Sequence, residues 1–115
     1  MNNASGHIKL PEPVSTALQE LKEALVDLFG ERMRGLYLYG SYARGDFCEH
    51  SDVDVLVVLE GQVNPSKETD RLSATLSDIC LRHDLLIAVY PVPAEWLVER
   101  KSPLFENIRR EGVIL

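Results

Sequence analysis

Hydrophobic residues alternate between helical and extended spacing along this chain. From Val14, apolar residues recur at Leu18, Leu21, Ala24, Leu25 and Leu28, a single stripe at helical spacing. Gly30 supplies the stop signal. Arg34 to Tyr39 reads as a strand with Leu36 and Leu38 on one face and Tyr37 and Tyr39 on the other. Val55 to Leu59 is a continuous apolar run rich in β-branched residues, the pattern of a buried strand, and the strand is expected over about Val53 to Leu59. A turn over 61–66 contains Pro65, and Ser66 is placed to cap the next helix. That helix carries Leu72, Leu76, Ile79 and Cys80 on its buried face and ends near Arg82. Asp84 to Tyr90 reads as a third strand, broken by Pro91 and Pro93. Short helices are expected over 95–99 and 104–110, and a terminal strand over 112–115. Residues 1–12 read as a loose leader and 13–115 as one domain, with no internal repeat. The mixture predicts an α+β fold, a small mixed sheet with helices packed on it.

The chemistry concentrates between residues 40 and 54. The first strand stops at Gly40, which lets the backbone turn sharply and a ligand approach the main chain. Ser41 offers a hydroxyl, Tyr42 to Arg44 form a candidate first helical turn, and Gly45 ends it. The N–H groups at a helix start suit a phosphate, and the Arg44 guanidinium suits the same group. A dozen residues on, Asp52 and Asp54 open the second strand. Positions i and i+2 of a strand share a face, so the two carboxylates point the same way. Their mutual repulsion is relieved by a divalent cation, and hard oxygen ligands suit magnesium. One or two Mg2+ ions there would bridge the phosphates of ATP or another nucleoside triphosphate.

Gly40-Ser41, Arg44-Gly45 and Ser51-Asp52-Val53-Asp54 together resemble the signature of the polymerase-β-like nucleotidyltransferase superfamily. The short length resembles its minimal nucleotidyltransferase branch, often partnered with HEPN-domain proteins in toxin–antitoxin pairs. The resemblance spans about Val14 to Leu115. It implies a nucleotidyltransferase fold and transfer of a nucleoside monophosphate, AMP from ATP, onto an acceptor hydroxyl. The implied acceptor is a tyrosine of a HEPN toxin, which would make this chain an antitoxin acting by covalent modification. Catalytic members generally use a third acid on a neighbouring strand, and Asp84 is the candidate here. The plain alternative is that Asp84 only terminates the loop between helix and strand. With two carboxylates alone, the chain would be a nucleotide-binding module that neutralises its partner by masking it. Transfer to a small molecule such as an aminoglycoside also fits the motif, but the chain offers no obvious acceptor lobe.

Composition narrows the field modestly. A chain of 115 residues with 45% hydrophobic and 26% charged residues is ordinary for one globular domain. The net charge of −6 argues against direct, nonspecific nucleic-acid binding, which depends on neutralising phosphates. It suits a small-molecule or protein acceptor, with assembly into homo- or hetero-oligomers left open. No run approaches membrane-spanning length, and the polar start Met1-Asn2-Asn3 is no signal peptide. Cys48 and Cys80 lack metal spacing, so a reduced pair and a cytoplasmic location are expected. Ser51 is placed to brace Asp52 by a hydrogen bond. Asp46 and Glu49 read as solvent-facing loop acids, His50 and His83 as structural or surface residues, and Trp96 as core or interface.

Overall fold

The computed structural model describes residues 9–115. Of the expected leader, residues 1–8 lie outside the described residues. The helix α1 covers Glu12–Phe29, with Pro13 inside its first turn, where its missing N–H costs nothing. Strand β1 (Met33–Tyr39) follows a short 3-10 turn, and a single helical turn α2 (Ser41–Arg44) follows β1. Then come β2 (Val53–Leu59), α3 (Pro65–His83), β3 (Ile87–Pro93), α4 (Ala94–Glu99), α5 (Pro103–Glu111) and β4 (Val113–Ile114).

The sheet order is β3-β2-β1-β4. β1 pairs antiparallel with β2 and with β4, while β2 and β3 run parallel. Mixed pairing in a four-stranded sheet matches the expected α+β architecture. Alternation along the strands divides the core in two. Leu36 and Leu38 of β1, with Val53, Val55, Val57 and Leu59 of β2, pack against α1 and α3. Leu56, Val58 and Val92 face the other way, onto Phe105 and Ile108 of α5. From Val55 onward β2 is therefore apolar, because both its faces are covered. Tyr37 and Tyr39 join the second cluster, on the face opposite Leu36 and Leu38, as their spacing predicts.

Three expectations are corrected. The N-cap of α3 is Asn64, whose side chain accepts from Lys67 N at 3.2 Å; Pro65 occupies the first turn and Ser66 lies within the helix. β3 runs through Pro91 and ends at Pro93 instead of breaking between them. It can do so as an edge strand. Leu86 O accepts from Val53 N, so alternate residues 88, 90 and 92 direct their backbone groups at β2 while 91 and 93 direct theirs outward. Finally, Asp84 does not open β3. It is the C-cap of α3 in the left-handed conformation (φ 53°), three residues before the strand starts at Ile87. Its N–H and that of Leu85 both donate to Cys80 O, closing the helix end before the chain can extend.

Candidate active site

The site lies at the junction of β1, α2 and β2, on the sheet face that α5 covers. Tyr39 and Asp54 are direct partners across the antiparallel β1–β2 ladder. Gly40 follows with φ 79° and ψ −155°, a conformation open to glycine and to little else. A Cβ at Gly40 would overlap the Asp54 carboxylate, so the missing side chain is the space that Oδ2 occupies. The chain then coils into α2, where Gly40 O accepts from Ala43 N and Arg44 N at 3.1 Å each. Gly45, left-handed at φ 86°, caps the turn as the sequence predicts. Tyr42 is buried beneath this turn and stacks on Phe47, ring centroids 4.3 Å apart, which ties α2 to the loop that returns to β2.

A cavity of about 580 Å³ opens at this point. Tyr39, Gly40, Ser41 and Arg44 line one side and Asp52 and Asp54 another. Leu104, Asn107 and Glu111 of α5 supply a third wall. Asp54 is held above the usual carboxylate range, first by burial and then by the charge of Asp52, with Arg44 pulling in the opposite direction. Arg44 also pairs with Asp46, Nε to Oδ2 at 3.3 Å, on the exposed rim. Burial, and to a lesser degree the charge of Asp54, pushes the Tyr39 hydroxyl up to about 12. Tyr39 is thus a neutral hydrogen-bonding group at any ordinary pH.

Ser51 does not brace Asp52. Its hydroxyl accepts from Cys48 N at 2.8 Å and donates to Cys48 Sγ at 3.5 Å, which fastens the 46–52 loop instead. That contact, followed by a backbone bond at His50, lowers the exposed Cys48 thiol. His83 is a structural residue as expected, with Nε2 at 2.9 Å from Glu20 Oε2. Trp96 packs edge-on to Phe105 and carries Arg100 over its ring at 3.5 Å.

Asp84 lines a second cavity, with Glu49, Leu81 and Leu86, and does not line the one holding Asp54, Gly40 and Ser41. The two cavities share His50, Ser51 and Asp52. Among the described residues, no three His, Cys, Asp or Glu side chains come together to hold a metal. The strand position opposite Asp54, where a third acid from β3 would stand, is Ala88. Asp52 and Asp54 still fit a divalent cation as a pair: Asp54 sits against the glycine notch, and the neighbouring charge of Asp52 opposes its ionisation.

A family model for the nucleotidyltransferase domain matches residues 18–107, a span that holds α2, both carboxylates and most of α5. The chain belongs to the nucleotidyltransferase-domain family. Two candidate protein adenylyltransferases of Methanocaldococcus jannaschii are similar along nearly their whole length. One is 34% identical over 84% of this chain and 92% of the relative. The other is 32% identical over 86% of this chain and 94% of the relative. A crystal structure of a toxin–antitoxin with AMP-PNP superposes with a TM-score of 0.60 at 17% identity, over 84% of this chain and 69% of that one. At that identity the likeness is one of fold, and it shows the nucleotidyltransferase architecture. Among the described residues no helix is long and apolar enough to cross a membrane.

The wall built by α5 was not legible in the sequence. Leu104, Asn107 and Glu111 lie some 50 residues beyond Asp54, and no local spacing links them to it. Tyr39 carried a weak signal, since it ends β1 next to Gly40 on the tyrosine face.

Proposed function

We propose that this protein transfers AMP from ATP to a hydroxyl of a protein acceptor. The observation that carries this reading is the Asp54 carboxylate seated on Gly40, beside Asp52 and the Ser41 turn, in one open cavity. The whole-length similarity to candidate protein adenylyltransferases supports a protein as acceptor. In this reading Gly40 and Ser41 seat the β- and γ-phosphates through the N–H groups at the start of α2 and the Ser41 hydroxyl. Arg44 neutralises phosphate charge from the rim. Asp52 and Asp54 hold magnesium, which supplies charge stabilisation for the attacking and leaving oxygens. The acceptor oxygen forms a bond to the α-phosphorus in line, the bond from that phosphorus to the bridging oxygen breaks, and pyrophosphate leaves. The hydroxyl proton passes to solvent at the open mouth. Rate enhancement comes from positioning and fixed charge.

The cavity is open at its mouth, which suits an acceptor presented by another protein. The partner we propose is a HEPN-domain toxin modified on a tyrosine hydroxyl, with this chain as its antitoxin in the cytoplasm. A second reading has one observation in its favour: no third carboxylate joins Asp52 and Asp54 among the described residues. In that reading the chain binds nucleotide and masks its partner without turnover. Neither reading draws on Asp84, which caps α3 and lines the neighbouring cavity.

The test is the intact mass of the protein that co-purifies with the native chain and with Asp52→Asn. A nucleotide-sized increase with the native chain, absent with the variant, supports transfer and identifies the acceptor. An unmodified partner held equally by both forms refutes transfer and supports masking.

A further inference from the structure

We propose that Glu111 selects ribonucleotides over deoxyribonucleotides by accepting a hydrogen bond from the ribose 2′-hydroxyl. The inference rests on the nucleotide-binding reading of the cavity and adds a specificity residue to it.

Positions 104, 107 and 111 form one stripe of α5 and all line the cavity, while Phe105 and Ile108 on the adjoining face are buried in the core. The helix is fixed at several points. Ser102 Oγ accepts from Phe105 N at 3.4 Å, and Arg109 Nη1 donates to Leu97 O at 2.6 Å. Immediately after Glu111 the chain enters β4, where Val113 pairs with Leu38, so the end of α5 is pinned beside Tyr39 and Gly40. Glu111 therefore lines the same cavity as the turn proposed to seat phosphates, held at a fixed place on its wall.

A carboxylate in the last turn of a helix opposes the helix dipole. Arg109 and Arg110 share that turn, yet among the described residues no ion pair or hydrogen bond engages Glu111, which is half-buried. A carboxylate only accepts hydrogen bonds, and it repels phosphate. It does not join Asp52 and Asp54 as a metal ligand set. What it suits is a neutral hydroxyl donor. On a nucleotide whose phosphates lie on Ser41, the first such donors are on the ribose, and carboxylates hold ribose hydroxyls in other nucleotide sites.

The experiment is calorimetric titration of ATP and of dATP, each with Mg2+, into the native chain, Glu111→Ala and Glu111→Gln. A charge-assisted hydrogen bond is worth roughly tenfold to a hundredfold in affinity. The expected result is native preference for ATP by that factor, loss of the preference in Glu111→Ala through weaker ATP binding alone, and partial retention in Glu111→Gln. The near-isosteric Gln variant keeps the test decisive if the Ala variant does not fold. A preference unchanged in either folded variant, or equal losses for ATP and dATP, overturns the assignment and leaves the nucleotide site standing. A native chain that binds neither nucleotide overturns both.

Discussion

The Asp54 carboxylate lies against the bare Cα of Gly40, close enough that a Cβ there would overlap Oδ2. The glycine turns the chain from β1 into α2 at a positive φ, and its bare Cα also accommodates the acid across the ladder. A motif that reads as two separate signals, a turn and a metal pair, is a single packed unit. Gly40→Ala should be damaging for both reasons. Backbone strain at such a position is on the order of 1–3 kcal/mol, and displacing Asp54 adds to it. The expected outcome is a melting temperature lower by several degrees and loss of Mg2+-dependent ATP binding, read by thermal unfolding with and without nucleotide.

Removing a site carboxylate should separate stability from function. Asp54 is partly buried and opposed by Asp52, so its charge is unfavourable to the empty fold. Asp54→Asn is expected to melt no lower than the native protein without metal and to lose the gain in melting temperature that Mg2+ and ATP give the native chain. If the proposed reaction holds, transfer should fall roughly a thousandfold, since charge stabilisation by a bound metal ion is worth several kcal/mol. A variant that binds Mg2+ and ATP as the native chain does would remove Asp54 from the site.

Much of this site was legible in the sequence, and the particulars explain what was not. The β2 bounds Val53–Leu59 and a helical turn after Gly40 closed by Gly45 agree with the sequence, because a valine-rich apolar run and paired glycines admit few alternatives. Asp84 was placed on a strand because Leu85-Leu86-Ile87 continues the apolar run of β3. The left-handed cap that delays the strand to Ile87 is set by the Cys80 carbonyl, which helical spacing alone does not mark. Pro91 and Pro93 misled because their effect depends on which side of β3 has a neighbour, a property of sheet order. The α5 wall was invisible for the same reason: it is made by tertiary packing.

Asp84 supplies a test of that correction. A non-glycine residue at φ 53° carries backbone strain that glycine lacks. Asp84→Gly should raise stability by a few tenths to about 1 kcal/mol, partly offset by the added freedom of the unfolded chain. It should leave transfer within about twofold of native. A drop of a hundredfold or more in a well-folded Asp84→Gly protein would restore Asp84 as the third acid and show that the cavity it lines closes onto Asp52 during turnover.

The middle of α1 and the C-terminal end of α3 are joined by one acid, Glu20, with two partners, Arg82 and His83, and this gives a pH dependence with a definite sign. Glu20 lies 2.7 Å from Arg82 and 2.9 Å from His83. Its carboxyl is held below the ordinary 4.5, first by the hydrogen bond from Arg82 and then by that from His83. A depressed acid stabilises the fold above its unfolded value and loses that contribution as pH falls through the folded one. Glu20→Gln should therefore be less stable than the native protein at neutral pH, and the gap should close as the pH drops below about 4.5. Denaturant midpoints for the two proteins across pH 3 to 7 read this directly. Because the group is exposed, the neutral-pH gap should be small and should shrink further in high salt. A gap that stays constant through the acid range would mean the α1–α3 contact is held by its apolar stripe alone, with Leu21, Leu25 and Leu72 carrying it.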